Sequence, residues 1–217
     1  MDWSPFFISV KTSFCATVIA FFVGIFLARF VSRLSVRVRG VVDVILTLPL
    51  VLPPTVVGFC LLLVFGWNSP VGQFLRRLGI RIVFSWEATV IAAAVVAFPL
   101  IYRTVRGSFE QVDSNIVDAA RTLGLSEFTI FWRILLPLSV PGCIAGLILG
   151  FTRALGEFGA TLMIAGNIPQ RTQTIPIAIW SAVEGNEMNA AMIWVVLIII
   201  ISFFIILPLN LLGGRRT

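Results

Sequence analysis

Long stretches almost free of charge recur along this chain, and they dictate the solvent it folds in. Residues 7–30 hold only Lys11 and Arg29, residues 42–65 only Asp43, and residues 189–211 no charged side chain at all. A helix needs about 20 mostly apolar residues to cross a bilayer, and each of these stretches has them. Composition agrees. Apolar residues make up 59% of the chain and charged ones 12%, against roughly 45–50% and 25% in soluble domains. The mean hydropathy is +1.04. The expectation is an all-α integral membrane protein in which residues 1–217 form a single transmembrane domain.

Five spans are expected, over about residues 7–30, 42–65, 86–102 (extending toward Gly107), 134–166 and 189–211. A further apolar piece, residues 173–183, is too short to cross alone and reads as interfacial or re-entrant, with a sixth span built partly from it less favoured. The start, Met1-Asp2-Trp3-Ser4-Pro5, has neither a basic segment nor a following small-residue cleavage site, so the first span is expected to be retained as an anchor. Pro49, Pro53 and Pro54 fall within six residues of the second span. Each removes a backbone donor and clashes with the preceding turn, so the helix should break or kink there. Broken backbone at membrane depth is tolerated only beside protein or a water-filled cavity, and in transporters such breaks mark substrate routes. Pro53, Pro54 and Thr55 are therefore candidates for a translocation path, with a plain structural kink equally weighted. Pro99, Pro137 and Pro141 are expected to mark simpler kinks.

Orientation follows from the basic residues. With the N-terminus outside, the inner segments carry ten arginines (Arg29, Arg33, Arg37, Arg39, Arg103, Arg106, Arg121, Arg133, Arg215 and Arg216), and the outer ones carry Lys11, Arg76, Arg77, Arg81 and Arg171. The C-terminus is then cytoplasmic. The net charge of +6 reads as this bias plus attraction to anionic lipid headgroups. The basic residues are scattered through short loops, so no nucleic-acid-binding face is expected.

The chain has no histidine, and its one lysine, Lys11, follows no glycine-rich loop. That excludes an imidazole base, a His-based zinc site and a Walker A phosphate loop. Cys15, Cys60 and Cys143 are dispersed in apolar segments without metal-ligand spacing, as packing residues are. No catalytic residue, no metal site and no bound cofactor are expected, and the chain does not read as an enzyme.

Two polar stretches interrupt the apolar pattern. In the first, Arg153 and Glu157 lie four residues apart, share a helix face and can pair. Ionisable groups within spans are rare and face the bundle interior. A paired arginine is a structural clasp, the favoured reading, whereas an unpaired one would attract an anion. Thr152 and Thr161 flank the pair. Gly156 and Gly159 permit close helix approach or a bend near the outer leaflet. The second stretch is the loop of about residues 108–133. Ser114 or Asn115 can cap a short helix, with Asp118 in its first turn and Gly124 at its end. Ile116, Val117, Ala120 and Leu123 would form its apolar face. Such a helix suits a groove on another protein, although an ordinary amphipathic connector has the same composition.

Spacing sharpens the choice. Asp118-Ala119-Ala120, then Gly124, Ile134 and Leu136-Pro137, resembles at every interval the docking loop of importer-type ABC permeases, with Asp118 where glutamate is commoner. Leu48-Pro49-Leu50-Val51-Leu52-Pro53-Pro54, Phe84-Ser85-Trp86-Glu87, Phe98-Pro99-Leu100, Arg153-Ala154-Leu155-Gly156-Glu157-Phe158-Gly159-Ala160-Thr161, Gly166-Asn167-Ile168-Pro169 and Arg171-Thr172-Gln173-Thr174-Ile175-Pro176 are similar to the molybdate permeases among them. The likeness covers about residues 9–176, with a looser tail. Sulfate permeases have a closely related stretch around the Arg-Glu pair, and tungstate is nearly isosteric with molybdate.

The resemblance implies an ABC importer permease fold in a bacterial cell (inner) membrane. It implies two permease copies about a two-fold axis, two ATP-binding ABC subunits that hold and hydrolyse the ATP, and a periplasmic or lipid-anchored molybdate-binding protein. It assigns ATPase coupling to Asp118, Ala119, Ala120, Arg121 and Gly124. The route of the oxyanion is expected near Pro53, Pro54, Thr55, Thr152, Arg153, Glu157 and Thr161. The alternatives are a tungstate or sulfate ABC permease and, more remotely, a proton-coupled secondary transporter using Arg153 and Glu157. The latter is disfavoured because no internal repeat is visible. A non-transport membrane subunit is the third reading. No fused regulatory domain is expected, so any feedback would act through the ATPase.

Overall fold

The computed structural model describes residues 2–213, with side chains through Leu207, and all regular structure among them is helical. The helices run in the order α1 (Ser4–Val31), α2 (Val36–Val51), α3 (Pro54–Phe65), α4 (Pro70–Arg77), α5 (Trp86–Glu110), α6 (Ser114–Thr122), α7 (Glu127–Ile130), a π-helical turn (Phe131–Leu135), α8 (Leu136–Leu138), α9 (Val140–Leu155), α10 (Gly159–Ala165), α11 (Ile175–Glu184) and α12 (Met188–Gly213). Arg215 and Arg216, part of the predicted inner charge, lie outside the described residues.

Three helices, α1, α5 and α12, are each long and apolar enough to cross a membrane, and two bent pairs raise the number to as many as five. Direction settles how the first bent pair counts. Thr12 of α1 lies beside Thr89 of α5, and Gly24 lies beside Ile101, so α1 and α5 run parallel. The chain between them must therefore recross, and α2 with α3 makes that return despite a 111° bend. The second pair, ending in α9, returns again: α9 runs antiparallel to α5, with Gly142 opposite Ser108 and Gly150 opposite Ile101. Helix α11, only 10 residues long, is too short to cross. Five crossings follow, and a sixth built on residues 173–183 does not form.

Small side chains on α5 explain its central place. Ala93 and Ala97 are buried and let α1 approach through Ala16, while Ala88 and Ala92, also buried, receive α3 and α10. Close approach of this kind drives helix association where lipid is as apolar as leucine. A Cβ on Gly150 would fall 2.3 Å from Ile101, so α9 can pack only as a glycine face there. Polar contacts add specificity: Thr12 shares a hydrogen bond with Thr89 at 2.9 Å and accepts one from Trp86 Nε1 at 3.0 Å. The amide of Ile175 donates to Ser9 Oγ at 2.7 Å and pins the start of α11 to α1.

The prolines act unequally. The break in the second span comes at Leu52-Pro53, in extended backbone, and Pro54 begins α3 in the position a helix start tolerates. Pro49 lies inside α2 and Pro99 inside α5, and neither ends its helix. Pro137 follows the π-helical turn, as expected where its missing N–H and its ring disturb the turn before it. The chain then bends by 70° into α9. The predicted fourth span, residues 134–166, is not one helix: Gly156-Glu157-Phe158 separates α9 from α10.

Candidate functional site

Two regions gather the residues singled out by sequence, at opposite ends of the helical bundle. The first is the loop between α5 and α9. Helix α6 is capped by Asp113, whose carboxylate accepts from the Asn115 amide at 2.9 Å. The expected caps, Ser114 and Asn115, are its first two helical residues instead. Asp118 is thereby displaced from the first turn and pairs with Arg121 at 2.8 Å. Asp113 has the non-helical backbone of an N-cap, so the cap lies one residue before Ser114.

The C-terminus of α6 ends as the sequence suggests. Gly124 has φ +78°, its amide donates to Arg121 O at 2.9 Å, and the Leu125 amide donates to Ala120 O at 3.2 Å. This pair of bonds is the Schellman arrangement, which needs a left-handed residue at Gly124. The predicted apolar face is split between two sides. Ala120 is buried and Val117 half-buried, whereas Ile116, Ala119 and Leu123 face outward. Phe128 and Trp132 add exposed aromatic surface.

Glu127, overlooked in the sequence, is the hub of this loop. Its carboxylate accepts from Arg29 at 2.5 Å and Arg121 at 2.7 Å, with Arg33 at 3.4 Å. Arg121 bridges Glu127 and Asp118, so a chain of charges runs from α6 through α7 to the last turn of α1. Glu127 is the first residue of the bent helix pair that ends in α9. The only sequence signal was an acid near a loop of arginines, with nothing to show that Arg29, 98 residues away, would meet it.

The second region joins α3, α9 and α10. Arg153 Nη1 donates to Glu157 Oε2 at 2.9 Å, and the Ala160 amide donates to Glu157 Oε1 at 2.9 Å. The Glu157 side chain is 1% exposed and that of Arg153 31%. Both oxygens are engaged, so the pair is a clasp that also caps α10. The break at Pro53 lays α3 against α10: a Cβ on Gly159 would lie 3.2 Å from Pro54 and 3.3 Å from Thr55. One on Gly58 would lie 2.7 Å from Ala160 Cα. Pro53, Pro54 and Thr55 are exposed, while Thr161 is buried within its own chain. The Thr152 hydroxyl donates to Ile148 O at 2.8 Å. The structure thus brings Pro54 and Thr55 beside the Glu157–Gly159 turn. Among the described residues, no three His, Cys, Asp or Glu side chains converge as a metal site would require.

Comparison with known proteins follows the same lines. The family model for the binding-protein-dependent transport system inner membrane component matches residues 20–214. The chain is 42% identical to the putative molybdenum transport system permease protein YvgM of Bacillus subtilis (strain 168), over 94% of this chain and 90% of that one. It is 41% identical to the molybdenum transport system permease protein ModB of Escherichia coli (strain K12), over 90% and 86%. Among solved structures, an inward-facing MetNI methionine ABC transporter superposes with a TM-score of 0.74 at 15% identity, covering 98% of this chain and 94% of that one. That likeness is one of fold, and it spans nearly the whole chain. The chain belongs to the binding-protein-dependent transport system inner membrane components, the multi-pass permease family of ABC importers.

Proposed function

We propose that this chain is the membrane permease subunit of an ATP-driven importer of the molybdate oxyanion. It gives the dianion its path and carries no ATP site of its own. The observation that carries the reading is α6, a short helix with an outward apolar side, ended by left-handed Gly124 and braced to α1 through Glu127. A separate ATPase subunit would receive that side in a groove. ATP is bound and hydrolysed in that partner, and no cofactor belongs to this chain. The molybdenum permeases among the relatives support the substrate.

The assembly is two copies of the permease, two ATPase subunits and a binding protein that delivers molybdate to the outer face. The N-terminus is outside and the C-terminus cytoplasmic, in a bacterial inner membrane. In the proposed cycle, closure of the ATPase pair pushes the two α6 helices. The charges of Asp118, Arg121, Glu127 and Arg29 pass that motion to α1. The path opens outward, and hydrolysis resets it. Pro53, Pro54 and Thr55, exposed beside the Glu157–Gly159 turn, line the route near its outer end. Arg153 is held there by Glu157 through Nη1.

Uptake into proteoliposomes containing the permease, ATPase and binding protein tests the substrate, with molybdenum, tungsten and sulfur counted together. ATP-dependent accumulation of molybdenum at nanomolar supply is expected. Accumulation of sulfate alone would keep the transporter and remove molybdate.

A further inference from the structure

A third polar cluster lies on the coupling-loop halves of α2 and α5. Asp43 is the one acid between Asp2 and Glu87. Its Oδ1 accepts from the Tyr102 hydroxyl at 2.5 Å and from Arg106 Nη1. Arg106 Nη1 also donates to Tyr102 Oη at 3.2 Å, and its Nε donates to Glu110 at 3.0 Å. Its Nη2 donates to no acceptor among the described residues. One turn beyond Asp43, the Thr47 hydroxyl donates to the Asp43 carbonyl at 2.7 Å. The side chains of Arg106 and Asp43 are 15% and 25% exposed.

A clasp serving only to hold helices would be packed dry. This one borders a cavity of about 320 Å³, lined by Asp43, Thr47, Tyr102, Arg103, Arg106 and Glu110. Arg103 is exposed beside it and makes no ion pair among the described residues. The cavity thus has one guanidinium with a free edge, a second without a partner, and two hydroxyls. Planar guanidinium groups match the oxygens of a tetrahedral oxyanion in paired hydrogen bonds.

Resting on the molybdate reading, we infer that this cavity is a transient oxyanion subsite on the coupling-loop side of the path, with Asp43 as the displaceable counter-ion of Arg106. The dianion binds Arg106 and Arg103, and Tyr102 turns its hydroxyl from Asp43 to the anion. Arg103 and Arg106 line the cavity against the carboxylates of Asp43 and Glu110, with Arg39 one turn before Asp43 and outside the lining. This balance of charge makes the subsite weak. A conducting site must attract its ion and still release it. When the anion leaves, Asp43 reclaims Arg106 and the cation is never left bare in a low-dielectric setting. At the far end of the bundle, Glu157 cannot act this way, because the Ala160 amide occupies its second oxygen.

The test uses the purified permease–ATPase complex without its binding protein. Retention of radiolabelled molybdate is measured by equilibrium dialysis, and maximal uptake is measured in proteoliposomes. A hydrogen-bonded charge contact corresponds to about a tenfold to hundredfold change in affinity. Arg106→Gln should lower retention by at least about tenfold. Asp43→Asn should raise retention several-fold while slowing maximal uptake, because release becomes limiting. Tyr102→Phe, which keeps the ring, should lower retention less than Arg106→Gln. Asp43→Asn falling in retention together with Arg106→Gln would show a structural clasp and overturn the subsite. So would unchanged retention in both. Should Arg106→Gln fail to assemble, the rise with Asp43→Asn decides alone. Dialysis with sulfate separates the two claims. Retention of sulfate but not molybdate, lost in Arg106→Gln, keeps the subsite and removes the molybdate reading. Retention of molybdate insensitive to all three substitutions does the reverse.

Discussion

Glu127 lies 2.5 Å from Arg29, and this contact ties the loop carrying α6 to the end of α1. Without it, a push on α6 would be taken up by the flanking turns. Glu127→Gln keeps the shape and removes the charge. The contact is partly exposed, so a loss of about 1 kcal/mol, or roughly fivefold in a coupling equilibrium, is expected. ATP-driven uptake, normalised to the permease in the membrane, should fall by about that factor. Full uptake at unchanged protein level would mean that the charge chain transmits nothing.

Glycine positions offer a matched pair. A Cβ on Gly58 would meet the Ala160 backbone at 2.7 Å, whereas nothing lies within 4 Å of one on Gly40. Gly58→Ala should therefore force α3 off α10 and cost about 1–3 kcal/mol. Gly40→Ala, in the exposed face of α2, should be neutral or slightly stabilising, since alanine is the better helix former by about 1 kcal/mol. Thermal unfolding in detergent should separate the two. Equal midpoints would contradict the close crossing of α3 and α10.

Glu157 makes two bonds with different requirements. Glu157→Gln retains an acceptor for the Ala160 amide and weakens only the Arg153 contact. Glu157→Ala loses both and leaves Arg153 unpaired, a loss of up to about 3 kcal/mol with Arg153 partly exposed. The amount of folded permease should follow the order wild type, Glu157→Gln, Glu157→Ala. Equal yields of the two variants would remove the capping role.

Thr55 and Thr161 separate exposure from burial. Thr55→Leu should lower uptake while leaving assembly intact, because Thr55 is exposed beside the proposed route. Thr161 is 1% exposed, so leucine there should reduce the folded protein itself, at about 1–3 kcal/mol of overpacking. Fluorescence-detected size exclusion measures assembly and radiolabel counting measures uptake. Normal uptake by Thr55→Leu would take Thr55 off the route.

Much of this was legible in the sequence because its signals are local. Apolar length locates α1, α5 and α12. The four-residue spacing of Arg153 and Glu157 predicts their pairing. Gly124 ends α6 because only glycine adopts its backbone angle without strain. What escaped the sequence depends on distant partners. Ser114 and Asn115 read as caps in the sequence, yet Asp113, just past the end of α5, takes the position. Pro49 and Pro53 look equivalent, yet only the second breaks the helix, where α3 gains contact with α10. Asp43 and Glu127 read as ordinary acids until α2 meets α5 and α7 meets α1.

The central claim is that α6 couples this permease to an ATPase that drives molybdate inward, and Gly124→Trp tests it most directly. Space around Gly124 is open, so the substitution should cost the permease itself only the strain of a left-handed residue, about 1–2 kcal/mol. The bulk falls on the surface offered to the partner. Molybdenum accumulation would be measured in cells lacking their own high-affinity uptake, expressing this chain with its ATPase and binding protein. The account predicts accumulation at nanomolar supply with the native chain and none with Gly124→Trp, at equal amounts of membrane-inserted permease. Accumulation indifferent to Gly124→Trp would contradict it.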